Sequence, residues 1–307
     1  MHSDAVAAPT RLPDGTQSSC GVTQWRPDSQ ELLDDNVIEE MPIALVYNGI
    51  SHAVMLASPA DIEDFAVGFS LTEGVVRCAG EVHDIEVVSC GIGSEVQLTI
   101  ASQRMAALKE RRRLLAGRTG CGLCGLENLQ QLVRPVPTVP RGGVLSAPVL
   151  DAAIVHLVAH QALHRSTGAA HAAAFVRWSG EMLLLREDVG RHNALDKLIG
   201  AIARSKFDRG EGFALVTSRA SYEMVHKTAV AGIRLLAAIS APTAMAVRTA
   251  TQAGMTLVGF AGRSRRLVYA HPQRVQPARS QRPAEQGHSM APILQPDHSP
   301  RSERRVD

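Results

Sequence analysis

The chain has 307 residues, a formal net charge of +2, 45% hydrophobic residues and 20% charged residues. These values are ordinary for a globular protein, and the small net charge gives no general reason to expect nucleic acid or an anionic membrane as a partner. The first ten residues have neither a basic start nor an apolar run, so they predict no secretory signal, and we expect a reducing, cytoplasmic location. The most apolar stretch, residues 229–247, is interrupted by Arg234 and Pro242 and does not predict a membrane span.

Both ends of the sequence predict disorder. Residues 1–30 begin with a segment rich in Ala, Pro, Ser, Thr and Gly, and residues 272–307 contain many prolines and no aromatic residue. Such segments bury too little apolar surface to offset the entropy that ordering costs. We therefore predict structure only between them.

Residues 31–139 predict a small β-rich domain. Apolar residues flank Asn48 and Gly49, a pair that tolerates positive φ and is typical of a hairpin turn. Asp61 is in position to cap a helix that runs through Leu71, and a second strand pair is predicted on either side of residues 91–93. Prolines and glycines between residues 135 and 143 indicate a linker to the next domain.

Residues 140–271 alternate between helical and strand patterns. Helices are predicted at residues 151–165, 193–204, 222–237 and 243–252, and strands at residues 172–178, 182–185, 213–216 and 255–260. This alternation is typical of a sheet that helices cover on both faces, so we predict a three-layer α/β/α domain.

A glycine-rich segment, residues 118–125, carries the most reactive chemistry in the sequence. Cys121 and Cys124 form a Cys-x-x-Cys pair among three glycines. The glycines predict a mobile loop. Arginines at positions 111, 112, 113 and 118 precede the two cysteines. Nearby positive charge favours thiolate over thiol, so the pair suits nucleophilic sulfur chemistry. A structural zinc site, a thioredoxin-like redox pair and an inert surface pair remain as alternatives, although no second Cys-x-x-Cys is present to complete a zinc site.

The second polar segment follows a predicted strand and opens a predicted helix. It contains Glu187, Asp188, Arg191, His192 and Asn193. A helix N-terminus with added Arg and His donors can bind phosphate, and the two carboxylates can accept from a purine. A surface network of salt bridges with an Asn193 cap is the structural alternative.

Two further segments also follow predicted strands. The first holds Ser218 and Arg219, and the second consists of Phe260, Ala261, Gly262, Arg263, Ser264 and Arg265. Simple N-capping by Ser221 and a solvated basic turn are the respective alternatives. Open α/β sheets bind ligands at the carboxyl ends of their strands, so one large ligand with several phosphates would explain all three polar segments together.

These motifs, with the segments around Asn48, Gly68, Thr72, His171 and Ala241, closely resemble the FdhD family of formate dehydrogenase accessory sulfurtransferases, from about Glu40 to Pro272. The resemblance implies a cytidine-deaminase-like α/β/α domain with a smaller N-terminal domain, and a homodimer. It also implies an activity in which sulfur from a cysteine desulfurase passes, through a persulfide on the first cysteine of the pair, to a molybdenum or tungsten bis-guanine-dinucleotide cofactor. The catalytic subunit of formate dehydrogenase would then receive that cofactor. The three polar segments would bind it through its guanine nucleotide moiety, and no permanently bound metal is expected.

A deaminase-like fold raises the possibility of deamination, which the residues exclude. Zinc deaminases need His-x-Glu followed by Pro-Cys-x-x-Cys. Here His171 is followed by two alanines, and the cysteine pair precedes that histidine. We therefore predict sulfur transfer through Cys121 and Cys124, and the residues alone do not choose which of the two cysteines carries the sulfur. A non-catalytic carrier of the cofactor is the main alternative, and a zinc-binding structural module is a further one.

Overall fold

A computed structural model describes residues 15–115, 135–262 and 266–277, and its first element is a long hairpin. Strands β1 (Gln17–Arg26) and β2 (Ser29–Ile38) pair antiparallel along their full length. The prediction that residues 1–30 are disordered is therefore wrong for residues 17–30. Nearly all of the hairpin's side chains are exposed, so its sequence lacks the alternation of apolar and polar residues that identifies a half-buried strand.

A four-stranded sheet follows. Its strands are β3 (Met41–Tyr47), β4 (Ile50–Ala57), β5 (Val82–Cys90) and β6 (Gly93–Ile100), in the order β4-β3-β6-β5. The predicted turn at Asn48 and Gly49 is confirmed, since both residues have positive φ, 48° and 77°. The two hairpins predicted from the sequence are thus the two outer pairs of this sheet.

Helices α1 (Ile62–Thr72) and α2 (Ser102–Leu115) contribute to the core of the four-stranded sheet. Phe65 of α1 and Leu108 of α2 are buried with strand residues such as Leu45 and Leu98. Asp61 is the N-cap of α1, as predicted, but its side chain makes no capping hydrogen bond. Its carboxylate lies instead 3.4 Å from Nε of Arg186.

The second half of the chain builds a six-stranded sheet in the order β13-β12-β11-β10-β8-β9. Its elements, with the short strand that precedes them, are β7 (Leu145–Ser146), α3 (Ala147–His160), α4 (Ala162–Thr167), β8 (His171–Arg177), β9 (Met182–Asp188), α5 (Arg191–Arg204), β10 (Gly212–Val216), α6 (Tyr222–Val230), β11 (Leu235–Ala238), α7 (Ala244–Ala253), β12 (Thr256–Gly259) and β13 (Leu267–Ala270).

Helices cover both faces of the six-stranded sheet. Apolar residues of α5, α6 and α7 form one core with alternate strand residues such as Phe175 and Leu236, and α3 forms another core with Phe213 and Leu215. Successive strand residues point to opposite faces, which is why each buried strand contributes to both cores. The chain is therefore a mixed α/β protein, as the sequence predicted.

The structure corrects the predicted helix at residues 222–237. Helix α6 ends at Val230, and residues 235–238 form strand β11, which pairs parallel with β10 and β12. Gly232, with φ of +74°, stands between them. The apolar run that begins at Leu235 fits a buried helix as well as a buried strand, and pairing with the two neighbouring strands decides between these two structures.

The carboxyl boundary predicted at residue 271 is also wrong. Residues Pro272–Arg274 form a 3₁₀ turn, and β14 (Val275–Gln276) pairs parallel with β7. Arg274 is only 9% exposed and donates to the Gly254 carbonyl at 2.7 Å. Residues 272–277 therefore belong to the folded chain.

Helix α1 and helix α5 pack against each other and so join the two sheets. The described residues up to Pro277 cluster as one compact unit, and the division into two domains after residue 139 stays a prediction. Within the described ranges, none of the helices has the length and apolar character that crossing a bilayer requires.

Candidate functional site at the carboxyl edge of the sheet

The strand directions bring the three predicted polar segments to one edge of the six-stranded sheet. Strands β10, β11 and β12 run parallel, and β9 has the same direction because β8 is antiparallel to both β9 and β10. The segments that begin at Glu187, Thr217 and Phe260 thus all lie where these strands end. The convergence expected from the alternating pattern is present in the structure.

Asp188 ends β9 and is completely buried. One carboxylate oxygen accepts from the Gly190 amide at 2.7 Å and from the Asn193 side-chain amide at 3.0 Å, and the other accepts from the Ser58 amide at 3.0 Å and lies 2.6 Å from Lys197 Nζ. All of these partners are protein groups. Asp188 therefore fixes the start of α5 onto the segment that follows β4.

Asn193 belongs to the same buried cluster. Its side-chain amide also donates to the Leu56 carbonyl at 2.8 Å, so both of its N–H bonds are used within the protein. The sequence analysis did not single out the other two members of this cluster, Ser58, which is 130 residues away from Asp188 in the chain, and Lys197, which lies on α5 itself. The only local signal is a lysine in the middle of a helix in which the neighbouring Leu195 and Leu198 are also fully buried.

The carboxylate of Glu187 also accepts hydrogen bonds from groups of the protein itself. It accepts from the amides of Leu163 and His164, each at 2.9 Å, in the first turn of α4. Burial raises the pKa of Glu187 above its ordinary value, although these hydrogen bonds oppose the shift. The predicted contacts of Glu187, Asp188 and Asn193 with a cofactor stay predictions, and the partners seen here are structural.

His192 and Glu223 connect the starts of α5 and α6. Nε2 of His192 lies 2.7 Å from a carboxylate oxygen of Glu223, and this contact lowers the pKa of Glu223. Two other buried polar atoms at these helix starts, Nε of Arg191 and Oγ of Ser221, have no hydrogen-bond partner among the described residues. Helix N-termini carry free N–H groups and positive dipole ends, so this region can accept an anion.

Ser218 and Arg219 differ in accessibility. Ser218 is buried and its hydroxyl donates to the Arg219 carbonyl at 3.1 Å, whereas the side chain of Arg219 is exposed. An exposed guanidinium at this edge is free to form a bidentate contact with a phosphate. Among the predicted residues, Arg219 is thus the one best placed to reach a ligand from solvent.

The segment after β12 turns sharply. Phe260 has φ of +53°, an uncommon conformation for a bulky residue, and the amide of Ala261 donates to the Ala238 carbonyl at 3.0 Å. Ala261 is buried and Gly262 is exposed. The other three residues predicted in this segment, Arg263, Ser264 and Arg265, lie outside the described residues.

His171 begins β8 and pairs in register with Asp188. Burial, and then the charge of Arg191, lowers the pKa of its imidazole below the ordinary value of 6.5. We therefore expect a neutral imidazole beside the cationic groups of this edge at neutral pH.

Both cysteines of the Cys-x-x-Cys pair, Cys121 and Cys124, lie outside the described residues. The other three cysteines, at positions 20, 78 and 90, are exposed free thiols. In the part of the chain that the structure describes, no group of three or more His, Cys, Asp and Glu side chains is arranged to hold a metal ion.

Comparison with known proteins agrees with the resemblance found in the sequence. The model of the FdhD/NarQ family matches residues 38–276. The chain belongs to the FdhD/NarQ family. A protein from Cupriavidus necator named sulfur carrier protein FdhD is 57% identical over 261 residues, which are 85% of this chain and 91% of that protein. A protein of the same name from Bordetella petrii is 54% identical over 245 residues, 78% of this chain and 87% of the relative.

A solved structure shares the fold. It is a Desulfotalea psychrophila protein assigned as a formate dehydrogenase accessory protein, with a TM-score of 0.67 and 22% sequence identity. The match covers 85% of this chain and all of that one. At this level of identity the likeness supports the architecture alone.

Proposed function

We propose that the protein is a sulfurtransferase that serves formate dehydrogenase. It takes sulfur from a cysteine desulfurase and passes it to a molybdenum or tungsten bis-guanine-dinucleotide cofactor, which it binds as a substrate. The observation that carries this proposal is the 57% identity, over most of both chains, with a protein named sulfur carrier protein FdhD. The Cys-x-x-Cys pair supplies the thiols that the reaction needs.

The first step forms a persulfide on Cys121. Its thiolate attacks the terminal sulfur of the persulfide on the desulfurase, so the S–S bond of the donor breaks and the donor cysteine leaves as a thiolate. Arginines at positions 111, 112, 113 and 118 are close in sequence, and nearby positive charge favours the attacking thiolate.

The second step releases the sulfur toward the bound cofactor. The thiolate of Cys124 attacks the inner sulfur of the persulfide, which releases hydrosulfide and leaves a Cys121–Cys124 disulfide. A dithiol reductant then restores both thiols. The released sulfide becomes the terminal sulfido ligand of the metal, which belongs to the substrate.

The carboxyl edge of the six-stranded sheet is the proposed cofactor site. Arg219 and Arg191 supply positive charge and His192 supplies further ring nitrogens, while the backbone turn at Phe260 to Gly262 ends another strand at the same sheet edge, with Arg263, Ser264 and Arg265 following in sequence. Guanidinium groups bind the phosphates of a guanine dinucleotide with bidentate geometry. A cytidine-deaminase-like layering of the second half and a homodimer are part of the same proposal.

Mass spectrometry tests the sulfur step. After incubation with a cysteine desulfurase and cysteine, the wild-type protein should gain about 32 Da per sulfur, and Cys121→Ser should gain none. Cys124→Ser is the matched variant, and it should still form the adduct but should not release the sulfide. A wild-type protein that binds the cofactor and gains no sulfur would contradict sulfur transfer, and would support a non-catalytic carrier instead.

A further inference from the structure

Three arginines lie at the edge of the six-stranded sheet opposite the proposed cofactor site. Arg234 immediately precedes β11, and its carbonyl accepts from the amide of Thr256 at the start of β12. Arg274 ends the 3₁₀ turn before β14 and donates to Oγ1 of Thr256 at 3.2 Å. Arg141 precedes β7, the strand with which β14 pairs. Arg141, Arg234 and Arg274 together form the arginine cluster.

Among the described residues, several N–H groups of this cluster have no partner. Nη1 of Arg234 donates to the Gly210 carbonyl at 2.9 Å, while its Nε is buried and has no hydrogen-bond partner in the part of the chain that the structure describes. Arg274 is 9% exposed, and its described hydrogen bonds, to Gly254 and Thr256, both use Nη1. A guanidinium has five N–H donors, so the described bonds use only a part of the available donors.

No carboxylate neutralises the cluster among the residues that the structure describes. The acidic residues in the loop that Arg234 contacts have other described partners: Asp208 accepts from the Gly210 amide at 2.8 Å, and Glu211 pairs with Arg177 at 3.1 Å. Burial, and then the charges of Arg234 and Arg141, lowers the pKa of Arg274. Three positive groups thus approach one another with no opposite charge described between them.

We propose that Arg141, Arg234 and Arg274 form a binding site for a phosphate group, separate from the proposed cofactor site. A phosphate offers at least three acceptor oxygens and up to two negative charges, whereas a carboxylate offers two oxygens and one charge. The excess of donors and of positive charge in the cluster therefore favours phosphate. The source is inorganic phosphate or a phosphomonoester, since both present the same group.

A glycine loop gives the ligand access. A Cβ atom built on Gly142, whose φ is +113°, would lie 3.5 Å from Nη1 of Arg234, so this backbone passes beside the guanidinium. The side chain of Arg141 is exposed next to it. The site is therefore open to solvent on the side of Arg141 and closed on the side of Arg274.

Trp178 provides a local reporter. Its indole N–H donates to the Gly210 carbonyl at 3.0 Å, the same oxygen that accepts from Arg234. The chain has one other tryptophan, Trp25, which is 82% exposed on the β1–β2 hairpin. Trp25→Phe therefore leaves the fluorescence of Trp178 as the only tryptophan signal, at little cost in packing.

The experiment is a fluorescence titration of the full-length Trp25→Phe protein. Inorganic phosphate and glycerol 3-phosphate are added in parallel, with sodium chloride at equal ionic strength as the reference. We expect a saturable change with phosphate that chloride does not give. Saturation by both compounds identifies the phosphate group as the ligand, and saturation by glycerol 3-phosphate alone identifies a phosphomonoester.

Variants in the same background locate the site. Arg141→Ala should weaken phosphate binding about tenfold or more and still fold, because Arg141 is exposed. Arg248→Ala, which removes an exposed arginine from α7, should leave binding unchanged. Arg219→Ala should also leave it unchanged, so the result does not depend on the proposed cofactor site. A response equal to that in chloride, or equal binding by Arg141→Ala and its parent, would overturn the proposal.

Discussion

Gly68 of α1 and Gly200 of α5 face each other where the two helices cross. A Cβ atom built on Gly68 would lie 1.7 Å from the Asp196 carbonyl oxygen, and one on Gly200 would lie 1.8 Å from the Asp64 carbonyl oxygen. The backbones of the two helices are therefore in direct contact. This crossing joins the four-stranded sheet to the sheet that carries the candidate site.

Gly68→Ala should destabilise the protein strongly. A methyl group cannot enter without separating α1 from α5, and overpacking of this kind typically costs about 1–3 kcal/mol or more. Urea unfolding followed by circular dichroism measures the loss. Gly80→Ala is the matched control, because its nearest neighbour would be 4.0 Å away. Equal unfolding midpoints for the two variants would mean that the helix crossing is not closely packed.

Local patterns predicted the elements that depend on local residues. The Asn48–Gly49 turn and helix α5 follow from turn chemistry and from apolar spacing, and both are present. Strand β11 and the β1–β2 hairpin were missed for a physical reason. The first is an apolar run whose strand form depends on its two neighbours, and the second is an exposed ribbon with no core face.

The sequence predicted which loops form the candidate site, but not which of their side chains are free to bind a ligand. Strand alternation placed its three polar segments at one sheet edge, but it could not show which side chains the protein itself would use. Asp188 illustrates the limit, since its partner Ser58 is 130 residues away in sequence. Partners from another part of the chain leave no periodic signal, so a buried structural carboxylate and a ligand-binding one look alike in sequence.

Lys197→Met tests the buried cluster around Asp188. Lys197 and Asp188 are both fully buried, and Lys197 also donates to the Ser58 carbonyl at 2.9 Å. Removing the lysine leaves an uncompensated carboxylate, which typically costs about 3–5 kcal/mol. Urea unfolding should show this loss, whereas Lys206→Met, at an exposed position, should be nearly neutral.

A double variant separates charge from packing. Asp188→Asn combined with Lys197→Met removes both charges, so it should recover a part of the stability that Lys197→Met loses. If the double variant loses as much unfolding free energy as the two single variants lose in sum, the ion pair contributes nothing to stability beyond the packing of the two side chains.

His171 should make stability decrease as the pH falls. Its pKa is lowered in the folded protein, so the unfolded chain takes up a proton first once the pH drops below about 6.5. The contribution of neutral His171 to the unfolding free energy is complete above pH 6.5. It is lost as the pH falls toward the pKa that His171 has in the folded protein. Unfolding free energies measured across this range should therefore fall less steeply for His171→Gln than for the wild type. His83→Gln, at an exposed position on β5, should follow the wild-type curve.

Arg219→Ala should weaken binding of GDP, used here as a fragment of the proposed cofactor. The exposed guanidinium of Arg219 lies at the carboxyl edge of the sheet, and loss of an arginine–phosphate hydrogen bond typically costs about 1.5–3 kcal/mol. Calorimetry should thus show a Kd at least about tenfold higher than that of the wild type.

Arg209→Ala provides the control, because this exposed arginine donates to the Ala231 carbonyl beyond the end of α6, away from the proposed site. Because Arg219 makes no described contact that holds the fold together, its variant should melt at the wild-type temperature, and the lost affinity then reports the contact itself. Equal affinity in the wild type and in Arg219→Ala would remove Arg219 from the site and leave Arg191 as the arginine to test next.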